Sequence, residues 1–297
     1  MRPIRSLLIY LVFVFVGGAL LAPWLYWFAH SLAAQWPAFS KLAANPFSRF
    51  VVRSILGLAL LGLWPLLRSC RMLTWHDLGL TVSRRSPANA FLGFLLGFAS
   101  LALVAALSLL LRGRTFNPNH TPSQMAGHFL GAAAVALIVA VLEEILFRGS
   151  LFGLLRKIVS WPKALVLSSA VYALAHFLQK SAAPQNIDWT TGLALLPKMF
   201  CSGTPLLPAV LTLFIAGAIL ALAYQRTGAL FFSMGLHAGW IFWLRFYGFF
   251  TVTTPSGNPA IWGSDKLIDG WLALPVLAAL LWAVSRMTLP PEKPRPA

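Results

Sequence analysis

Charge is scarce in this chain, and acid is scarcest. Of 297 residues only 10% are charged and only 7 are Asp or Glu, while 59% are hydrophobic. A soluble domain carries about 25% charged residues. Too few polar groups remain here to cover a water-facing surface, which excludes an ordinary soluble protein. Cysteine is nearly absent. Cys70 and Cys201 fall in segments expected on opposite sides of a membrane, so no disulfide framework and no CxxC metal motif can be built. There is no HExxH, and no two histidines stand four apart on one helix, which removes the common helical zinc site. Internal repeats are also missing.

Long apolar runs fill the chain instead, and the mean hydropathy is +0.77. Lipid offers the backbone no hydrogen-bond partners, so each run is expected to be helical. The fold class is therefore all-α, a polytopic membrane bundle. About eight transmembrane helices are expected, near 6–28, 50–68, 89–111, 124–146, 164–178, 205–225, 228–247 and 268–286. The first exceeds the 7–15 residues of a signal-peptide core and reads as an uncleaved span. Residues 1–288 are expected to form one domain and the Pro-rich end, 289–297, a disordered tail. The stretch after Arg148, "GSLFGLLRKIV", reads as a short helix in the membrane interface.

The net charge is +16, from 23 basic residues. They lie between apolar runs, with no basic stripe interleaved with aromatics. They read as topology signals and contacts to membrane lipids, not as a nucleic-acid surface. Their distribution favours both termini inside, and the composition suits a bacterial inner membrane. The 12 tryptophans read as interface anchors.

Against this background an ionisable residue inside a span is costly and marks function by default. The set is small: His128, Glu143, Glu144, Arg148, His176 and His237. "VLEEILFRG", residues 141–149, holds the one acidic pair. Glu144 and Arg148 are four apart and share a helix face, where they can pair. Glu143 points about 100° away, free by this geometry to face a cavity as a general base. His176 ends the fifth span. His237 sits mid-span among Ser233, Gly235, Ala238 and Gly239, small residues that permit close packing or admit a substrate backbone. His128 has no motif partner and reads as a packing residue. Water, a carboxylate base and histidine donors suffice for peptide hydrolysis without a covalent nucleophile; the same His and Glu could bind zinc, with ligands collected from three helices. A proton-coupled transporter would also use buried Glu and His, but no broken-helix pair supports it.

At these residues the chain resembles the CPBP intramembrane proteases (CAAX proteases and bacteriocin-processing enzymes, the Abi family). Their EExxxR motif is met by Glu143, Glu144 and Arg148. Their aromatic-xxx-His motif is met by Tyr172 and His176, with Tyr where Phe is commoner. Their last motif, His followed four residues later by Asn or Asp, finds His237 but then Ile241. The resemblance covers about residues 124–245. It implies a metal-independent glutamic endopeptidase whose substrate is a peptide or a lipidated protein in the membrane. In it Glu143 and His176 would activate water and His237 would stabilise the oxyanion. Arg148 and Tyr172 would support them. Trp240, beside the missing polar partner, offers an indole N–H that can stand in. A non-catalytic scaffold or immunity protein of the same fold is the alternative that Ile241 favours.

Overall fold

The computed structural model describes residues 2–176, 186–201, 207–255 and 257–288. The chain is overwhelmingly helical, and a helix stands at each of the expected segments. These are α1 (Pro3–Gln35), α2 (Phe47–Ser69), α3 (Ser86–Leu110), α4 (Pro122–Leu155), α5 (Trp161–His176), α7 (Leu207–Thr227), α8 (Phe231–Phe250) and α9 (Ala273–Arg286). Among the described residues five helices are long and apolar enough to cross a membrane: α1, α2, α3, α4 and α7. An unexpected helix, α6 (Thr191–Cys201), and a two-stranded antiparallel sheet, β1 (Arg114–Phe116) with β2 (Thr251–Thr253), complete the elements used below. Residues 289–297, expected to be disordered, lie outside the described residues.

Where the sequence reads one domain, the contacts group the chain into two compact units. One is Met1–Leu73 with Leu174–Thr204, and the other is Thr74–Ala173 with Pro205–Ala297. In the first, α1 and α2 run antiparallel. A Cβ on Gly18 would strike the Ile55 backbone at 2.8 Å, so the two main chains touch there. α6 is anchored at its start by Asp188, whose Oδ1 accepts from the Thr190 amide at 2.8 Å and the Thr190 hydroxyl at 2.7 Å. Those bonds hold the Asp188 carboxyl below its ordinary pKa.

The second unit is organised by small residues. On α3, a Cβ at Gly93 would run into the Phe232 carbonyl, and one at Gly97 into the Leu236 carbonyl. On α8, a Cβ at Gly235 would run into the Ala90 carbonyl, and one at Gly239 would meet the Phe98 amide at 2.5 Å. Two facing small-xxx-small stretches thus bring the backbones of α3 and α8 into contact, the usual solution where lipid removes any hydrophobic drive between helices. α4 obeys the same logic. Its Ala132, Ala136 and Ala140 are buried against Ala238, Ile241 and Phe242 of α8, while Leu130, Leu137 and Ile138 face outward. Because Gly97 abuts backbone, which cannot swing aside, Gly97→Leu is expected to lower stability by about 3 kcal/mol. Denaturant unfolding in mild detergent would test this, and an unchanged midpoint would show that the contact is not needed.

This small sheet ties the end of α3 to the end of α8. Arg114 is buried beneath it. Its guanidinium donates to the Thr251 hydroxyl at 3.0 Å, the Thr253 hydroxyl at 3.0 Å and Asp265 at 2.8 Å. This basic residue serves the protein interior and not the headgroups.

α4 is longer than any expected span. Its α-helical part, Pro122–Glu144, begins with a capping box in which the Thr121 side chain accepts from the Gln124 amide. The helix then passes into a π-helical stretch, Ile145–Phe152, and ends with Gly153–Leu155. The segment after Arg148 is therefore the continuation of α4 and not a separate interfacial helix. Gly149 permits this, since a Cβ there would press on the Leu78 carbonyl at 2.9 Å.

Candidate active site

Along α4 the buried residues recur every four positions: Ala132, Ala136, Ala140, Glu144, Arg148. Three alanines let α8 come close, and the fourth and fifth positions place charge on the same face. Glu144 is thereby carried into the interior opposite His237, the residue between Gly235 and Gly239 that close packing on α3 holds fixed. π-helical turns favour functional sites because they re-aim side chains. Here the turn begins directly after the acidic pair and contains Arg148.

The charges pair as the spacing predicts. Arg148 Nη1 donates to Glu144 Oε1 at 2.9 Å, and Nη2 reaches the Gly217 carbonyl of α7 at 3.4 Å. The guanidinium also lies over the Tyr172 ring, 4.2 Å from its centre, with Phe147 edge-on to that ring at 5.1 Å. A buried arginine is tolerable only when its charge and its donors are both met, and these partners meet them.

His237 is held from both ring nitrogens. Nδ1 lies 3.0 Å from Glu144 Oε1 and Nε2 3.2 Å from the Tyr172 hydroxyl. An ionised Glu144 can only accept, so Nδ1 carries the hydrogen. In the neutral ring Nε2 then accepts from the Tyr172 O–H, and the tautomer follows from these partners. Glu143 approaches the same nitrogen, its Oε2 3.7 Å from His237 Nε2. The two acids thus straddle one histidine instead of diverging to separate surroundings. Their exposure separates them. The Glu144 side chain is 0% exposed and that of Glu143 is 24% exposed. Glu144 is sealed in the interior, and Glu143 lies at its edge.

The remaining expected residues fall as follows. His176 is the last residue of α5, exposed, four positions beyond Tyr172, in the segment that groups with the first unit. Tyr172 points its hydroxyl at His237, a partner the sequence does not suggest. Trp240 does not supply the site. Its indole N–H donates to the Ser100 hydroxyl of α3 at 2.9 Å, so that hydrogen is committed elsewhere. Ile241 is buried in the dry alanine cluster with Ala136 and Ala140, where a carboxamide or carboxylate would need a partner. His128, read as a packing residue, stacks on Phe249 with centroids 3.9 Å apart and contacts the Arg245 carbonyl at 3.0 Å. Among the described residues no group of three or more His, Cys, Asp or Glu side chains is placed to hold a metal ion. The sequence reading missed Ser100, Gly93, Gly97 and the Gly217 carbonyl. The repeated small residues at four-residue spacing on α3, α4 and α8 were the available signal.

Residues 125–243 match the family described as Type II CAAX prenyl endopeptidase Rce1-like. No curated protein and no solved structure matches the chain. The matched segment runs from α4 into α8 and holds every residue of the expected constellation. It supports an intramembrane protein of the CAAX-protease kind.

Proposed function

With residues 125–243 matching the Rce1-like family, we propose that the chain is a metal-independent glutamic endopeptidase working within the membrane. It hydrolyses a peptide bond of a membrane-associated or lipidated protein. The observation that carries this reading is the convergence of Glu143, the Tyr172 hydroxyl and a doubly held His237 on one nitrogen. Following the arginine distribution, we place both termini on the cytoplasmic side of a bacterial inner membrane.

Glu143 removes a proton from water, and the hydroxide adds to the scissile carbonyl carbon. His176 is assigned the second contact to that water on the family resemblance. The carbonyl oxygen becomes an oxyanion. His237 takes up a second proton from water at Nε2 as the oxyanion forms and returns it when the oxyanion collapses. Meanwhile it donates from Nε2 to that oxygen while its Nδ1–H remains on Glu144. The buried Glu144 carboxylate offsets the imidazolium charge, and Arg148 keeps Glu144 ionised and in place. The C–N bond then breaks, and the proton held by Glu143 passes to the departing amine.

Ile241 removes the donor that the family resemblance places beside His237, and Tyr172 supplies one. Its O–H is 3.2 Å from Nε2 and turns to the oxyanion once Nε2 is protonated. Tyr172→Phe keeps the ring against Arg148 and Phe147 and removes only the hydroxyl. It is expected to lower kcat by about 10²-fold, the usual loss for one oxyanion donor, with KM little changed. A kcat equal to wild type would show that the hydroxyl is only packing.

The function itself is tested by comparing peptide termini of the host membrane proteome with wild type and with Glu143→Gln at equal expression. A discrete set of termini that depends on Glu143 is expected. Its absence, with the variant still rescuing a deletion strain, would instead favour a non-catalytic protein of the same fold, the reading that Ile241 supports.

A further inference from the structure

α1 and α2 touch at Gly18 and Ile55 and separate toward the N-terminus of α1. Between them lies a groove of about 460 Å³, within the range of about 300–1,000 Å³ typical of small-molecule sites. Ile9, Tyr10 and Phe13 line one wall, and Leu61, Gly62 and Pro65 the other. Its polar atoms are turned into the protein. The Tyr10 hydroxyl donates to the Ala59 carbonyl at 2.8 Å, and the Ser69 hydroxyl to the Leu66 carbonyl at 2.7 Å. Most of what remains on the groove surface is hydrocarbon. Along α2 the lining runs from Leu58 to Ser69, about 16 Å at 1.5 Å per residue. That is about half of a hydrocarbon core ~30 Å thick, the depth of one leaflet.

The mouth is basic. Arg5 adjoins the lining Ser6, Arg68 adjoins the lining Ser69, and Arg71 follows; all three are exposed. Arg68 stacks over the exposed Trp64, its guanidinium 5.3 Å from the ring centre, as a side chain at headgroup level does. A mostly apolar groove one leaflet deep, with exposed arginines next to its terminal residues, fits one chemistry.

We infer that the α1–α2 groove is a binding site for an anionic phospholipid, with one acyl chain along Ile9, Phe13 and Leu61 and the phosphate at Arg5 and Arg68. The site is built from α1 and α2 alone and does not rest on the catalytic chemistry.

Native mass spectrometry of the full-length protein in detergent tests it, with dioleoyl phosphatidylglycerol and dioleoyl phosphatidylcholine as probes. Wild type is expected to retain one phosphatidylglycerol and to prefer it over phosphatidylcholine. Arg5→Gln with Arg68→Gln should reduce that preference by about 25-fold, at about fivefold per arginine. Leu61→Trp fills the groove from a position 73% exposed and should abolish retention of both lipids. Gly62→Leu would press on Phe13 and Tyr10, so Leu61→Trp, which disturbs no buried neighbour, is the decisive steric variant. The inference is overturned if Leu61→Trp holds phosphatidylglycerol as wild type does, or if wild type binds the two lipids equally. It is also overturned if an equimolar prenylated peptide displaces the phospholipid, which would make the groove a substrate channel.

Discussion

Glutamine in place of Glu143 is expected to lower kcat by about 10²–10⁴-fold, the range for losing a positioned general base, and to leave the unfolding midpoint where it was. The side chain is nearly isosteric, and at 24% exposure it is not part of the sealed interior. Glu144→Gln should behave differently. Glu144 is fully buried, accepts from Arg148 at 2.9 Å and receives His237 Nδ1 at 3.0 Å. Its neutralisation strands a buried guanidinium, so stability and activity should fall together. Turnover of a membrane-bound peptide substrate and unfolding in detergent, measured on both variants, separate a base from a framework acid. If Glu143→Gln turns over like wild type, the hydrolytic reading fails, and Ile241 becomes the residue that defines the protein.

The helical frame was legible because lipid forces it. Apolar runs long enough to span must be helices, and each expected run is one. The acidic pair was legible for a related reason, since with only 7 acids in 297 residues two adjacent ones inside a span stand out. The Glu144–Arg148 pair followed from four-residue spacing alone. What failed was everything that depends on side-chain reach between helices. A helical wheel separates Glu143 from Glu144 by about 100° at the backbone. It does not show that one imidazole between them meets both. Tyr172 was paired in the sequence with His176, its neighbour in the chain, while its hydroxyl serves His237, 65 residues away. Trp240 looked available because nothing local claims its N–H; the claimant, Ser100, is 140 residues distant.

Other misreadings trace to local exceptions. α6 was missed because Pro197 interrupts a short apolar run. The end of α4 was read as an interfacial helix, whereas Gly149 makes room for the Leu78 carbonyl while the chain stays helical. Gly235 and Gly239 were open to two uses, packing or substrate access. The carbonyl of Ala90 and the amide of Phe98 occupy the space in question, so packing has taken it. Arg114 was grouped with the headgroup-facing cations, because charge counting has no means of finding partners as distant in the chain as Thr251 and Asp265.

Removing Arg148 is expected to have the largest effect on folding. Arg148→Met keeps the length and the apolar stem but leaves Glu144 buried without its counter-charge. Breaking a buried pair from one side costs about 3–5 kcal/mol. The Gly217 carbonyl loses its 3.4 Å donor and the Tyr172 ring its cation at 4.2 Å as well. Lysine should not rescue, since one ammonium cannot reproduce a fork that reaches a carboxylate and a carbonyl while stacking on an aromatic face. The double variant Arg148→Met with Glu144→Leu removes both charges from the interior. Replacing a whole buried pair by apolar residues is often neutral, so it should regain most of the lost stability. It should stay inactive, because His237 Nδ1 would no longer have the anion that orients it. Unfolding free energies of the wild type, both single variants and the double close a thermodynamic cycle. A double variant no more stable than Arg148→Met alone would mean that Arg148 acts through Gly217 and Tyr172 and not through Glu144. A double variant that regains both stability and turnover would remove Glu144 from the mechanism altogether.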